Sequence, residues 1–124
     1  MGLNSRIFRG DTKLEACLIS DPAHITPGGK GDHVAKIQTA LTLLDAAKID
    51  ANDLRTKTYG ASTAAAVLAY KKKRNIINRS YQTAPDNIVG KMTLTALDRE
   101  MVAFEQRLSN VNSCAGLRSA LPGR

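Results

Sequence analysis

The sequence predicts an all-α fold: a bundle of three main helices, preceded by a short N-terminal helix and an extended arm. Three observations carry this. Gly31, Gly60 and Gly90 stand 29 and 30 residues apart, and each opens a similar stretch, a spacing that calls for a repeat reading. Val34, Thr63 and Thr93 each follow their glycine by three residues, and apolar positions then recur at helical steps. Aromatic residues make up only 4% of the chain, with no Trp, so the core has to be built from Leu, Ile, Val and Ala, as in a small helical bundle.

Residues 1–24 read as an N-terminal arm carrying a short helix. Thr12-Lys13-Leu14-Glu15 has capping-box spacing, and Leu14, Cys17 and Leu18 share one helical face, which predicts a helix over 12–19. Asp21-Pro22 ends it, because a residue before proline is pushed out of helical angles. The helical domain proper is expected over 25–108. It starts with the turn-rich run Ile25-Thr26-Pro27-Gly28-Gly29-Lys30-Gly31. The first main helix is predicted over 32–48, with Val34, Ile37, Leu41 and Leu44 as its buried stripe. Asp32 and Lys48 sit at the ends where the helix dipole favours their charges.

Asp50 to Thr58 is polar, has no period and reads as a loop. The second main helix is predicted over 61–74, buried on Thr63, Ala66, Val67 and Tyr70. Its three consecutive alanines, 64–66, allow close approach, and Lys71-Lys72-Lys73-Arg74 place cations at its C-terminal end. The stretch from Asn75 to Asn87 is the longest irregular connection, with Ile76 and Ile77 turned inward and Arg79 to Thr83 exposed. The third main helix is predicted over 91–108 on Leu94, Leu97, Met101, Phe104 and Leu108. Residues 109–124 read as a tail or linker.

The chain of 124 residues has 18 basic and 11 acidic side chains, a net charge of +7. Such a balance favours an anionic partner: nucleic acid, a membrane surface or the carboxylate-bearing peptides of a cell wall. Plain solubility explains it equally well. The N-terminus has no apolar run of signal-peptide length and no stretch could span a bilayer, so synthesis in the cytoplasm and no membrane partner are expected. Cys17 and Cys114 form no CxxC motif or Cys/His cluster, which disfavours zinc. Two free thiols are expected in a reducing compartment, and a bridge between them only in an oxidising one.

The residues do not make an enzyme. His24 and His33 lack ligand partners at helical spacing, and neither HExxH nor GxSxG occurs. His33, in the first turn of the first main helix, reads most simply as a surface residue. Asp98 and Glu100 stand two apart on a helix and diverge, so they do not pair as a hydrolase would need. No catalytic residue, metal or cofactor is therefore expected, although a catalytic domain outside this chain stays open. Nucleic-acid binding is disfavoured as well. The basic run 71–74 spreads around a helix end, and the third main helix carries Asp98, Glu100 and Glu105.

Gly31-x-x-Val34-x-x-Ile37-Gln38-x-x-Leu41, then Tyr59-Gly60-x-x-Thr63-x-x-Ala66-Val67-x-x-Tyr70, then Ile88-Val89-Gly90-x-x-Thr93-x-x-Ala96-Leu97, resembles the peptidoglycan-binding domain family. These are three-helix modules attached to cell-wall hydrolases and other wall proteins. The resemblance spans about residues 28–100 and rests on all three pieces in order. It departs from the family in having Tyr70-Lys71 where Phe-Gln is usual, and longer loops before Tyr59 and Asn87.

The resemblance implies non-catalytic binding of bacterial peptidoglycan, through its stem-peptide carboxylates and glycan, holding an attached or partner protein on the wall. The motif residues themselves read as fold maintenance, with Gln38 tying a loop to the first main helix. Ligand contacts are expected from exposed groups around them. Arg55, Lys57, Lys71 and Arg79 would pair with carboxylates, Tyr59 and Tyr81 would stack on sugar or peptide, and Asn87 would bond amides. The arm and tail also resemble leading modules of bacterial type VI secretion effectors. That resemblance implies export by a specialised route to the periplasm or cell wall. It also gives an alternative function, a docking or adaptor module gripping a secretion-system or effector protein.

Overall fold

The computed structural model describes residues 2–20, 23–77 and 84–118, with side chains as far as Leu108. Among the described residues the chain is all-α: five helices and no strand. They are α1 (Thr12–Cys17), α2 (Asp32–Asp45), α3 (Ala51–Thr56), α4 (Ala61–Arg74) and α5 (Lys91–Arg118). Helix α2 packs against both α4 and α5, and α1 packs against α5.

Helix α4 has the bounds its periodicity predicts, and it ends where Asn75 turns left-handed at φ 56°. Helix α2 stops three residues short of expectation, because Ala46 takes the same left-handed turn at φ 53°. The stretch read as a loop after Asp50 contains α3. No residue of α3 is buried, so it has no apolar stripe for periodicity to detect; Asp53 in its first turn and Arg55 in its last match the dipole instead. Helix α5 continues through the expected tail to Arg118. Along the part whose side chains are described, Met101 is buried, Phe104 partly so, and Leu108 is exposed rather than part of the stripe.

One hydrophobic core joins α1, α2, α4 and α5. Val34, Ile37 and Leu41 of α2 meet Val67 of α4 and Leu94, Leu97 and Met101 of α5. The N-terminal segment is not an extended arm. Leu3 and Phe8 enter the same core, and Ser5 is fully buried. Two carboxylates of α5 hold its backbone. Asp98 accepts from the N–H groups of Asn4 (3.0 Å) and Ser5 (2.8 Å), and Glu105 from those of Arg6 (2.9 Å) and Ile7 (3.2 Å). Four otherwise orphaned donors are satisfied this way, so an irregular segment can be buried without losing its hydrogen bonds. Cys17, a free buried thiol, closes α1 onto the third corner by donating to the Val89 carbonyl at 3.4 Å. Burial pushes its pKa up to about 11.

The three glycine corners meet at one end of the bundle. Ile25 and Val89 exchange both backbone hydrogen bonds at 2.9 Å, an isolated antiparallel bridge. Lys30 and Thr58 form a second such bridge, through Tyr59 N–H to the Gly29 carbonyl (2.8 Å) and Gly31 N–H to the Lys57 carbonyl (3.0 Å). The segment before α2 is therefore bonded both to the segment before α4 and to the segment before α5.

The other end is held by charge. Arg74, at the end of α4, forms a two-pronged pair with Asp45 of α2 (3.0 and 2.9 Å) and another with Glu100 of α5 (2.5 and 2.7 Å). Its guanidinium lies 3.8 Å over the Tyr70 ring, and the Tyr70 hydroxyl donates to Glu100 at 2.9 Å. Burial opposes the Glu100 charge, but the bonds from Arg74 and Tyr70 outweigh it and hold the carboxyl below its ordinary pKa.

Gly60 matters for space and not for its φ. A Cβ there would meet the Asp53 carboxylate, with Oδ1 at 2.6 Å and Cγ at 2.7 Å. That carboxylate accepts from the Ser62 hydroxyl at 2.8 Å, and Ser62 Oγ in turn accepts from Asp50 N–H at 2.9 Å. Gly60→Ala forces Asp53 out of this chain of bonds. The expected loss is about 1–3 kcal/mol of stability, read as a lower urea midpoint at unchanged slope.

Candidate functional site

The corner end of the bundle brings together a polar hub and two adjoining clefts. Gln38, fully buried on α2, donates from Nε2 to the Thr58 carbonyl (2.9 Å) and to Thr63 Oγ1 (3.0 Å), with a longer contact to the Asp53 carbonyl (3.4 Å). All three partners are oxygens, which sets the orientation of the amide. Gln38 thus ties the loop before Tyr59 to α2, as its place in the first motif predicts. Its Oε1 has no partner among the described residues.

The residues expected to meet a ligand divide into three groups. Arg55 and Lys57 are exposed. Arg55 bonds Asn52 within α3, and Lys57 pairs with Asp32 at 2.5 Å, beside the first corner. Asn87 is exposed too, and its carbonyl accepts from the Tyr59 hydroxyl. These three surround the corners. Tyr59 and Lys71 are not surface groups. Tyr59 is 1% exposed, because the bridge to Gly28 and Gly29 turns its ring into the core, leaving no face for a sugar to stack on. Burial raises its pKa well above the ordinary phenol value. Lys71 is 6% exposed, and its ammonium is used by Asp86 (2.5 Å) and the Ile88 carbonyl (2.8 Å), which anchor the approach to the third corner. Arg79 and Tyr81 lie outside the described residues.

The residue order alone did not reveal the cleft between α1 and the first corner. Its volume is about 370 Å³, and it is lined by Thr12 and Lys13 of α1, His24, Thr26 and His33, over Ala16, Ala23 and Ile25. A second depression of about 390 Å³ adjoins it and shares Thr12, Lys13 and His33. His33 is not a surface residue; it is 9% exposed. Gly31, at φ 132°, lets the ring fold back over the backbone, and a Cβ there would stand 3.1 Å from the imidazole. His24 roofs Gly90 in the same way, with a Cβ there 3.2 Å from its ring. The available signal was modest: each of the chain's two histidines contacts a corner glycine, but only His33 lies near its glycine in sequence.

Burial disfavours the imidazolium, and Lys13 opposes it further. The charges of Asp11 and Asp32 act the other way, and the net effect holds His33 below its ordinary pKa of 6.5. The unfolded chain therefore binds the proton more readily. The His33 contribution to stability is complete above pH 6.5 and falls away as the pH drops through the depressed folded value. Chemical denaturation from pH 7.5 to pH 5 should show this decline, and His33→Asn should flatten it. Compared with protein-family models, curated proteins and solved structures, the chain gives no match.

Proposed function

We propose that this chain is a non-catalytic module that binds bacterial peptidoglycan and holds an attached or partner protein at the wall. One observation carries the reading. The three motif pieces are spread over the chain, yet their glycine-led helix starts are bonded to one another at a single end of the bundle. The motif positions Val34, Ile37, Gln38, Thr63, Val67, Thr93 and Leu97 are all buried, as a scaffold signature requires. Around that end stand Arg55, Lys57 and Asn87, exposed groups able to meet carboxylates and amides. Binding is by several weak polar contacts, with the net charge of +7 drawing the module to an acidic polymer. The docking alternative gives the grip on a partner to the N-terminal arm and the long loop over 75–87; the arm is engaged in the core, and residues 78–83 of the loop lie outside the described residues.

Sedimentation with purified insoluble peptidoglycan tests this. The protein should pellet at low salt and be released as ionic strength rises. Arg55→Ala, which removes no ion pair among the described residues, should lower the bound fraction several-fold without shifting the melting temperature. Protein remaining in the supernatant at low salt would reject wall binding.

A further inference from the structure

We propose that the cleft between α1 and the first glycine corner receives the C-terminal carboxylate of a short peptide of small residues. The choice of a peptide terminus rests on the wall-binding reading; the carboxylate chemistry rests on the cleft itself.

His33 is nine-tenths buried and lines the cleft, and neither ring nitrogen has a hydrogen-bond partner among the described residues. Neither nitrogen is sealed in the interior, since Gln38 Oε1 is the one buried side-chain polar atom without a partner among the described residues, so the ring is open to a ligand entering the cleft. It stands in the first turn of α2, whose N-terminus has only Gly31 before it and no side-chain cap. The helix end favours negative charge there. Lys13 supplies a full positive charge on the facing element and makes no ion pair among the described residues. Thr12 and Thr26 add hydroxyl groups.

The nearby carboxylates do not cancel this arrangement. Asp11 is engaged by Lys36 at 2.9 Å and by the N–H groups of Lys13 and Leu14, and Asp32 by Lys57 at 2.5 Å. The cleft therefore presents one ammonium, hydroxyl groups and an imidazole to an anion. Ala16, Ala23 and Ile25 add an apolar part to the lining, which suits a small aliphatic group. A volume of about 370 Å³ is at the lower end of the roughly 300–1,000 Å³ of small-ligand sites. A carboxylate carrying a small aliphatic group, as at the end of an alanyl peptide, matches both parts.

The test is an NMR titration of the imidazole resonances of the full chain with acetyl-alanyl-alanine, its C-terminal amide and acetate. The free acid should give a saturable shift of the His33 resonance, with the amide and acetate each weaker by about tenfold or more. Lys13→Ala, an exposed change that leaves the fold intact, should weaken the acid by a similar factor. A bound carboxylate also favours imidazolium, so the His33 pKa should rise on saturation against the fixed surroundings of Asp11, Lys13, Asp32 and His24. Equal binding of acid and amide, unaltered binding by Lys13→Ala, or no shift would overturn the proposal. Acetate matching the dipeptide would overturn its peptide part. The two readings fail separately. Protein that pellets with peptidoglycan while the dipeptide leaves His33 unmoved keeps wall binding and loses this cleft. Saturation by the dipeptide without pelleting does the reverse.

Discussion

The backbone junction of the three glycine corners is the constraint on which the rest of the molecule depends. A bundle of short helices with an aliphatic core has little to specify how its helices enter, because Leu, Ile and Val pack without directional preference. Here direction comes from hydrogen bonds. The segment 25–31 is paired on one side with Val89 and on the other with Tyr59 and Lys57. Each pairing has the form of a single rung of sheet, too short to be a strand, yet it orients the first turns of α2, α4 and α5 together. Gln38 extends the junction into the core, and the Asp53–Ser62 bond extends it to the start of α4. The glycines serve different ends at this junction. Gly31 adopts a backbone angle other residues resist, whereas Gly60 and Gly90 leave room for the Asp53 carboxylate and the His24 ring.

Charge completes what the junction begins. Arg74 joins the far ends of α2 and α4 to α5, so α2 and α4 are held at both ends. A planar guanidinium suits this task because it serves two carboxylates in two-pronged fashion while stacking on Tyr70. Asp98 and Glu105 use α5 to hold the N-terminal segment through its backbone. Much of the acidic complement of the chain is committed to such internal work. The exposed Arg55 and the cleft residue Lys13 are left to act on something outside.

The main helices were legible because their stripes are regular: Val34, Ile37 and Leu41 are buried at steps of three and four, as are Leu94, Leu97 and Met101. The reach of these stripes was legible only in part. Helix α5 runs on past Leu108 to Arg118, and nothing in a polar run such as Ser109-Asn110 distinguishes a helix from a linker. Helix α3 buries nothing, so no period marks it. Burial of Leu3, Ser5 and Phe8 depends on Asp98 and Glu105 holding the backbone between them, more than 90 positions away, and no local pattern encodes such a partner. Of the candidate site, the exposed Arg55, Lys57 and Asn87 could be read from residue type. Tyr59 and Lys71 could not: each has a polar tip on an apolar body, and the fold uses the body for packing and the tip for bonding. His33 was obscured for a similar reason, since only the backward fold permitted by Gly31 buries its ring.

Native-state hydrogen exchange tests the junction most directly. If the corners orient the helices, the amide protons of Ile25, Gly31, Tyr59 and Val89 open only when the whole molecule unfolds, and their protection equals that of Val67 and Leu97 within the helices. Exchange of those four amides at loop rates, with the helix interiors still protected, would contradict the account and leave the bundle organised by its core alone.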